Sequence, residues 1–129
     1  MKHLSAQDLE SLNHWPGLVD SHIHLDSEAY EQDLEDCLNR AQLQGVTTML
    51  LPGTDVRSST RIAQLLGKHE QLRGALGIHP HQAEKYDAHE TPADWAALLK
   101  QANWSAIGET GLECHYDFCP LEIQKRSLE

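Results

Sequence analysis

Two histidines separated by one residue, His22 and His24, have the clearest capacity for chemistry in this sequence. They lie in residues 18–26 (LVDSHIHLD), a run that begins apolar, turns polar at its far end and follows the turn-forming pair Pro16-Gly17. Side chains alternate faces along a strand, so both imidazoles point to the same side and can bind one metal ion. A single histidine there would usually be an ordinary hydrogen-bonded polar residue, whereas a pair at the end of an apolar strand favours a metal site.

Strand and helix patterns alternate along the rest of the chain, with a period of roughly 30 residues. The predicted strands cover residues 18–22, 46–51, 72–78 and 104–108, and we expect the second to be buried on both faces. The predicted helices cover residues 30–44 and start at Ser58 or Ser59, at Thr91, and at Pro120. Such alternation is typical of parallel strands with right-handed crossovers, in an open doubly wound sheet or a closed barrel.

Polar side chains follow the apolar part of every predicted strand. In either architecture the carboxyl ends of parallel strands converge on one rim, where catalytic groups are usually found. These positions hold His22 and His24, Thr54 and Asp55, His79 and His81, and Glu109 and Glu113. The clustering of metal-binding residue types at strand ends therefore predicts an active site on this rim.

The composition indicates a globular domain and argues against a broad nucleic-acid-binding surface. The chain has 129 residues, of which 40% are hydrophobic, as expected for a globular domain with a buried core. A formal net charge of −10 argues against a broad nucleic-acid-binding surface, because such surfaces need clustered lysine and arginine. The charge still allows an enzyme that approaches phosphate through bound cations.

The sequence also predicts location and domain limits. No apolar run is long enough for a membrane span, and the first residues lack the apolar stretch of a secretion signal. An odd number of irregularly spaced cysteines indicates reduced thiols, so we expect a cytoplasmic protein. Residues 1–16, with a short helix at 5–14, are predicted to be an extension outside a main domain that covers residues 17–129.

Three motifs in order resemble the TatD family of metal-dependent deoxyribonucleases, which belongs with the amidohydrolase-like barrel enzymes. They are LVDSHIHLD at 18–26, GIHPH at 77–81 and AIGETGL at 106–112, and PLEIQKR at 120–126 is similar to the family's next helix. The resemblance implies an α/β fold built from the parallel strand-helix units of a TIM barrel. About four of the eight units would be present, which is half a barrel.

The resemblance also implies an activity and a set of site residues. It implies hydrolysis of DNA phosphodiester bonds, with His22 and His24 as metal ligands and Glu109 as a catalytic carboxylate that bridges two divalent ions, Mg, Mn or Zn. Two such ions can neutralise a phosphodiester and generate a hydroxide nucleophile. His79 and His81 are interpreted either as contacts to a substrate phosphate or as hydrogen-bond partners of the loop backbone.

The sequence departs from the family pattern in two respects. Glu113 and Cys114 stand where the family usually has aspartate and tyrosine, which puts a substrate contact there in doubt. A complete barrel needs roughly 250 residues, so we expect this chain to be a truncated product or a deliberately shortened one. Two further histidine ligands and an aspartate, which the resemblance implies for later strands, would then be missing. Metal binding should then be weak and activity impaired. The first and fourth strands would be open edges, through which two copies can pair as a homodimer.

Two other functions fit the same residues. A different metallohydrolase of the wider superfamily, acting on amide or ester bonds, would share the His-x-His strand. A non-enzymatic fragment that self-associates around an inactive site would explain the missing ligands, and it predicts no turnover with any metal.

Overall fold

The computed structural model describes residues 17–129, so the predicted helix at 5–14 lies outside the described residues. Four parallel strands form one sheet in the order of the chain. They are β1 (Leu18–Asp20), β2 (Val46–Pro52), β3 (Leu72–Leu76) and β4 (Ala106–Ile107). The sequential order of parallel strands confirms the alternating strand-helix architecture.

Helices connect the strands. They are α1 (Leu34–Leu43), α2 (Val56–Leu66), α3 (Ala83–Ala88), α4 (Pro92–Gln101) and α5 (Leu121–Arg126), with 3₁₀ turns at Glu28–Tyr30 and Pro80–Gln82. No helix among residues 17–129 combines the length and apolar character needed to cross a membrane.

The main core lies between β1–β3 and the helices α1 and α2. Met49 and Leu51 of β2 are buried against Leu38 of α1 and Ile62 of α2. Leu50, on the opposite face of β2, is only partly buried. Pro52 on the same face is buried, so the prediction that both faces of this strand are buried holds only at its carboxyl end. The helices cover one face, and no layer of comparable depth covers the other within the described residues.

A second, smaller cluster lies near β4. Ile78, Ala83 and Cys119 are buried there, with Trp95 and Ile123 packed against them. The strand itself pairs through two residues only, and Ile107 is 74% exposed. The side of the sheet that ends in β4 is consequently much less covered than the side that contains β1–β3.

Local hydrogen bonds set where the helices start. Thr91, the predicted start of a helix, caps α4 and forms a capping box with Asp94. The predicted start of α2 at Ser58 or Ser59 was wrong, because Asp55 caps this helix by accepting a hydrogen bond from the Ser58 N–H at 2.8 Å. The predicted helix at 30–44 begins only at Leu34, after a 3₁₀ turn.

Candidate metal centre

His22 and His24 extend from the carboxyl end of β1 on a short segment that two hydrogen bonds fix. The Ile23 N–H donates to the Leu50 carbonyl of β2 at 3.1 Å, which continues the parallel pairing beyond β1. The Asp20 carboxylate accepts from the His22 N–H at 3.0 Å. Asp20 thus orients the segment that carries both imidazoles.

Glu109 follows β4 and is held by backbone contacts to the two preceding strands. The Glu109 N–H donates to the Gly53 carbonyl at 2.8 Å, and the Gly108 N–H donates to the Leu76 carbonyl at 3.0 Å. A Cβ atom at Gly77 would lie 2.3 Å from the Glu109 carbonyl oxygen and 2.5 Å from the Gly108 carbonyl carbon. A glycine at position 77 is therefore required for the segment 108–109 to approach β3 this closely.

The side chains of His22, His24 and Glu109 converge on one point. Glu109 Oε1 lies 3.4 Å from His22 Nε2 and 3.3 Å from His24 Nε2, and the two Nε2 atoms are 3.2 Å apart. Glu109 Oε1 is buried and accepts no hydrogen bond. Donor atoms bound to one tetrahedral divalent ion at about 2.1 Å are separated by about 3.4 Å, so this arrangement fits a metal ion.

Asp26 lies beside the ring nitrogen of His24 that does not face Glu109. Its Oδ1 atom is 3.7 Å from His24 Nδ1, and its Oδ2 atom accepts a hydrogen bond from the Ser58 hydroxyl at 2.7 Å. A carboxylate beside the other ring nitrogen of a histidine favours a proton there, which leaves Nε2 free to act as a ligand. Asp26 is thus placed to orient His24.

His79 lies beside the second oxygen of Glu109. Its Nε2 is 3.5 Å from Glu109 Oε2, and its Nδ1 accepts a hydrogen bond from the His81 N–H at 3.1 Å. Burial lowers the pKa of His79, and repulsion from His81 and His24 adds to this effect, which the attraction of Glu109 opposes. A neutral imidazole whose Nδ1 accepts must carry its proton on Nε2, so His79 presents an N–H at the centre.

His81 pairs with Glu113 rather than with Glu109. Its Nε2 is 3.1 Å from Glu113 Oε2. Desolvation acts to raise the pKa of Glu113, but hydrogen bonds from the backbone N–H groups of Tyr116 and His115, together with His81, lower it. The sequence placed Glu113 near the rim but did not reveal this pairing, because no local spacing links two residues so far apart in the chain.

The rim therefore separates the predicted residues into distinct groups. Among the side chains that the structure describes, the only cluster of three or more potential metal ligands is that of His22, His24 and Glu109. His79 contacts this cluster through Glu109 Oε2, whereas Asp55 is turned away to bind Lys85 Nζ at 2.7 Å. The cysteines Cys37, Cys114 and Cys119 are free thiols outside the cluster.

Comparison with known proteins places this geometry in a family. A sequence model described as "TatD related DNase" matches residues 19–129. An uncharacterized metal-dependent hydrolase, YabD of Bacillus subtilis, is 35% identical over 109 residues, which is 84% of this chain and 42% of that protein. The 3′-5′ ssDNA/RNA exonuclease TatD of Citrobacter koseri is 30% identical over 112 residues, 87% of this chain and 43% of the exonuclease.

A solved structure shows the same fold. The crystal structure of YJJV, a TatD homologue from Escherichia coli K12, matches with a TM-score of 0.70 and 28% identity, over 86% of this chain and 43% of that one. The four parallel strands and their helices therefore form half of a TIM barrel, as the sequence predicted. The chain spans less than half the length of the curated relatives it matches. With the family match covering nearly all of the described residues, the chain belongs to the TatD-related DNase family.

Proposed function

We propose that this chain carries metal ligands of a divalent-metal-dependent hydrolase that cleaves phosphodiester bonds in DNA. The observation that carries the proposal is the buried Glu109 Oε1, which accepts no hydrogen bond and faces two imidazole nitrogens at 3.3 and 3.4 Å. A buried carboxylate oxygen without a partner is costly, and a cation among these three groups removes that cost. The names of relatives as ssDNA/RNA exonucleases support nucleic acid as the substrate.

Each residue of the centre has a proposed role. His22, His24 and Glu109 would hold divalent ions, Mg, Mn or Zn, with Glu109 shared between two of them. Divalent cations here would neutralise the phosphodiester and lower the pKa of water to give a nucleophile. The His79 N–H lies beside Glu109 and can donate to a phosphate oxygen. His81, held by Glu113, offers a second substrate contact.

Titration with Mn²⁺ tests the ligand assignment directly. We expect Glu109→Gln to weaken Mn²⁺ binding about 10- to 100-fold or more, because the amide keeps the shape but removes the charge. Glu122→Gln, which changes an exposed carboxylate on α5, is the matched control and should bind as the parent does. Equal Mn²⁺ affinity in the Glu109 variant and the parent would remove Glu109 from the site.

A substrate comparison tests the chemistry. With Mg²⁺ or Mn²⁺ added, the chain should hydrolyse single-stranded DNA in preference to model amides and esters. The Glu109→Gln substitution should abolish this hydrolysis. Preferential turnover of an amide or ester would favour the other class of metallohydrolase. No turnover with any metal, together with oligomers that persist after chelation, would favour the self-associating fragment.

We also propose that two copies pair through the open edges of the sheet. Within the described residues β1 pairs only with β2 and β4 only with β3, and Val19 and Ile107 on these edge strands are 63% and 74% exposed. Parallel pairing of β1 with the partner's β4, repeated by two-fold symmetry, would close eight strands. Sedimentation equilibrium should give a dimer mass, which Val19→Lys reduces to that of the monomer. A monomer mass for the parent contradicts the pairing.

We also propose the domain limits that the sequence predicts. Residues 17–129 are proposed to fold as one unit, with residues 1–16 as an extension, so limited proteolysis should cut before residue 17 and spare the rest. Protection of residues 1–16 equal to that of the sheet would contradict the boundary. The cytoplasmic location stays a prediction.

A further inference from the structure

Two aromatic side chains are exposed beside the metal centre. Tyr116 and Phe118 lie in the loop between β4 and α5 and are 54% and 65% exposed. Their rings are stacked, with centroids 5.4 Å apart and planes 27° from parallel. The His81 ring packs edge-on against both, with its centroid 4.7 Å from that of Phe118 and 6.0 Å from that of Tyr116. Solvent thus reaches a stacked aromatic pair that metal binding does not use.

The loop that presents this pair is fixed by a buried side chain. The Gln124 amide donates from Nε2 to the carbonyls of Glu113 at 3.0 Å and Cys119 at 2.9 Å, and its Oε1 accepts from the Glu113 N–H at 2.8 Å. The Glu113 carboxylate in turn accepts from the Tyr116 N–H at 3.0 Å. Because both ends of the loop are held, the aromatic rings are presented in a set position.

A short series of contacts joins the aromatic pair to the metal ligands. The His81 ring centroid is 4.5 Å from that of His79, whose Nε2 is 3.5 Å from Glu109 Oε2. Tyr116 also lines a cavity of about 290 Å³ with Cys114, His115 and Leu121. The cavity and the aromatic pair are therefore separated from the Glu109 carboxylate by only two side chains, those of His81 and His79.

We infer that Tyr116 and Phe118 form a stacking platform for a base of single-stranded nucleic acid, next to the phosphodiester at the metal centre. The inference rests on the proposed function and adds a base-binding subsite to it. A net charge of −10 disfavours binding through phosphates alone, whereas base stacking on aromatic rings does not depend on basic residues. Every base has a π-face, so the platform predicts binding with little sequence preference.

The test is binding of a fluorescently labelled oligothymidylate to the full chain, at low salt and with EDTA. We expect the double variant Tyr116→Ala/Phe118→Ala to bind about 5- to 100-fold more weakly. Tyr116→Phe and Phe118→Tyr keep the rings and should bind as the parent does. Leu43→Ala changes an apolar side chain that is 81% exposed at the end of α1, and it serves as the matched control.

A second probe separates stacking from phosphate contacts. An abasic oligonucleotide of the same length should bind the parent as weakly as oligothymidylate binds the double variant. Equal affinity of the parent for both probes, unchanged affinity in the double variant, or no detectable oligothymidylate binding by the parent would each overturn the platform. A change in oligomeric state of the double variant, without a change in oligonucleotide affinity, would instead assign the pair to a protein contact.

Measuring Mn²⁺ affinity in the same variants distinguishes failure of this inference from failure of the proposed function. The double variant should bind Mn²⁺ as the parent does, whereas Glu109→Gln should lose Mn²⁺ and retain oligothymidylate binding in EDTA. Loss of oligonucleotide affinity in the aromatic variant supports the platform even if the metal assignment fails. Retained affinity overturns the platform while the metal assignment stands.

Discussion

The two sides of the sheet, β1–β3 and β4, position the residues of the candidate metal centre by different means. The side formed by β1–β3 is anchored by buried side chains such as Met49, Leu51 and Ile62, and it supplies His22 and His24. The side that ends in β4 has two paired residues and a smaller cluster, and it supplies Glu109. The segment that carries the histidines is therefore held by a packed core as well as by hydrogen bonds. The carboxylate, in contrast, is positioned by backbone hydrogen bonds and the absence of a side chain at Gly77.

Core truncation should show the difference most strongly. Leu51→Ala removes a fully buried side chain of β2 and should lower the free energy of unfolding by about 2–5 kcal/mol. Ile107→Ala, on β4, removes a mostly exposed side chain and should change it by less than about 0.5 kcal/mol in the monomer. Urea denaturation of both variants measures the contrast, and equal losses would show that β4 is as well packed as β2.

Substitution of Gly77 should displace the Glu109 carboxylate and leave the core formed by β1–β3 in place. Gly77→Ala places a Cβ atom against the backbone of residues 108–109, so that segment must move, at a cost of about 1–3 kcal/mol. Mn²⁺ affinity should fall at least tenfold, because Glu109 moves away from the two imidazoles.

Gly67→Ala is the control for this substitution. The nearest atom to a Cβ at Gly67 is 3.6 Å away and its φ is −72°, so alanine is accommodated there. Unchanged Mn²⁺ affinity in a stably folded Gly77→Ala variant would contradict the idea that this close approach positions Glu109.

A smaller, pH-dependent effect is expected at Glu90, which follows α3 and accepts a hydrogen bond from the Val56 N–H at 3.2 Å. Burial raises the pKa of Glu90 above its ordinary 4.5, and the charge of Asp55 adds to this, so folding favours the protonated form. The charged carboxylate costs stability above the raised pKa, and this cost fades as the pH falls through that pKa toward 4.5.

Glu90→Gln keeps an acceptor for Val56 and removes the charge. It should raise the free energy of unfolding at pH 7 by on the order of 0.5 kcal/mol, with no gain below about pH 4.5. Thermal melts across this pH range measure the effect. A gain that is the same at every pH would show that the charge is not its cause.

Local patterns allowed the sequence to predict much of this arrangement. The apolar run at 46–51 and the Thr91 capping box depend on neighbouring residues, and both the strand and the capped helix are present. The rim residues could be named because they close strands in a parallel arrangement, whose carboxyl ends must share a rim. The resemblance to the TatD family then singled out His22, His24 and Glu109 among them as metal ligands. The structure brings these three side chains together.

Features that depend on contacts distant in sequence could not be predicted. Asp55 displaced the serines as the cap of α2, and Lys85, 30 residues away, binds its second oxygen. The six-residue helix α3 was not predicted, since its short sequence lacks a periodic apolar stripe. The hydrogen bonds of Gln124 to the loop and the His81–Glu113 pair likewise join separate segments of the chain. Only the folded chain therefore shows that the loop after β4 is fixed.

The most direct test of the metal centre is anomalous diffraction from crystals of this chain soaked in Mn²⁺. The structure predicts an anomalous peak between His22 Nε2, His24 Nε2 and Glu109 Oε1, at coordination distance from all three, and a much weaker peak in Glu109→Gln crystals. A peak elsewhere on the rim, such as beside Glu113, or no peak at saturating Mn²⁺, would contradict the assignment of these three residues as a metal site.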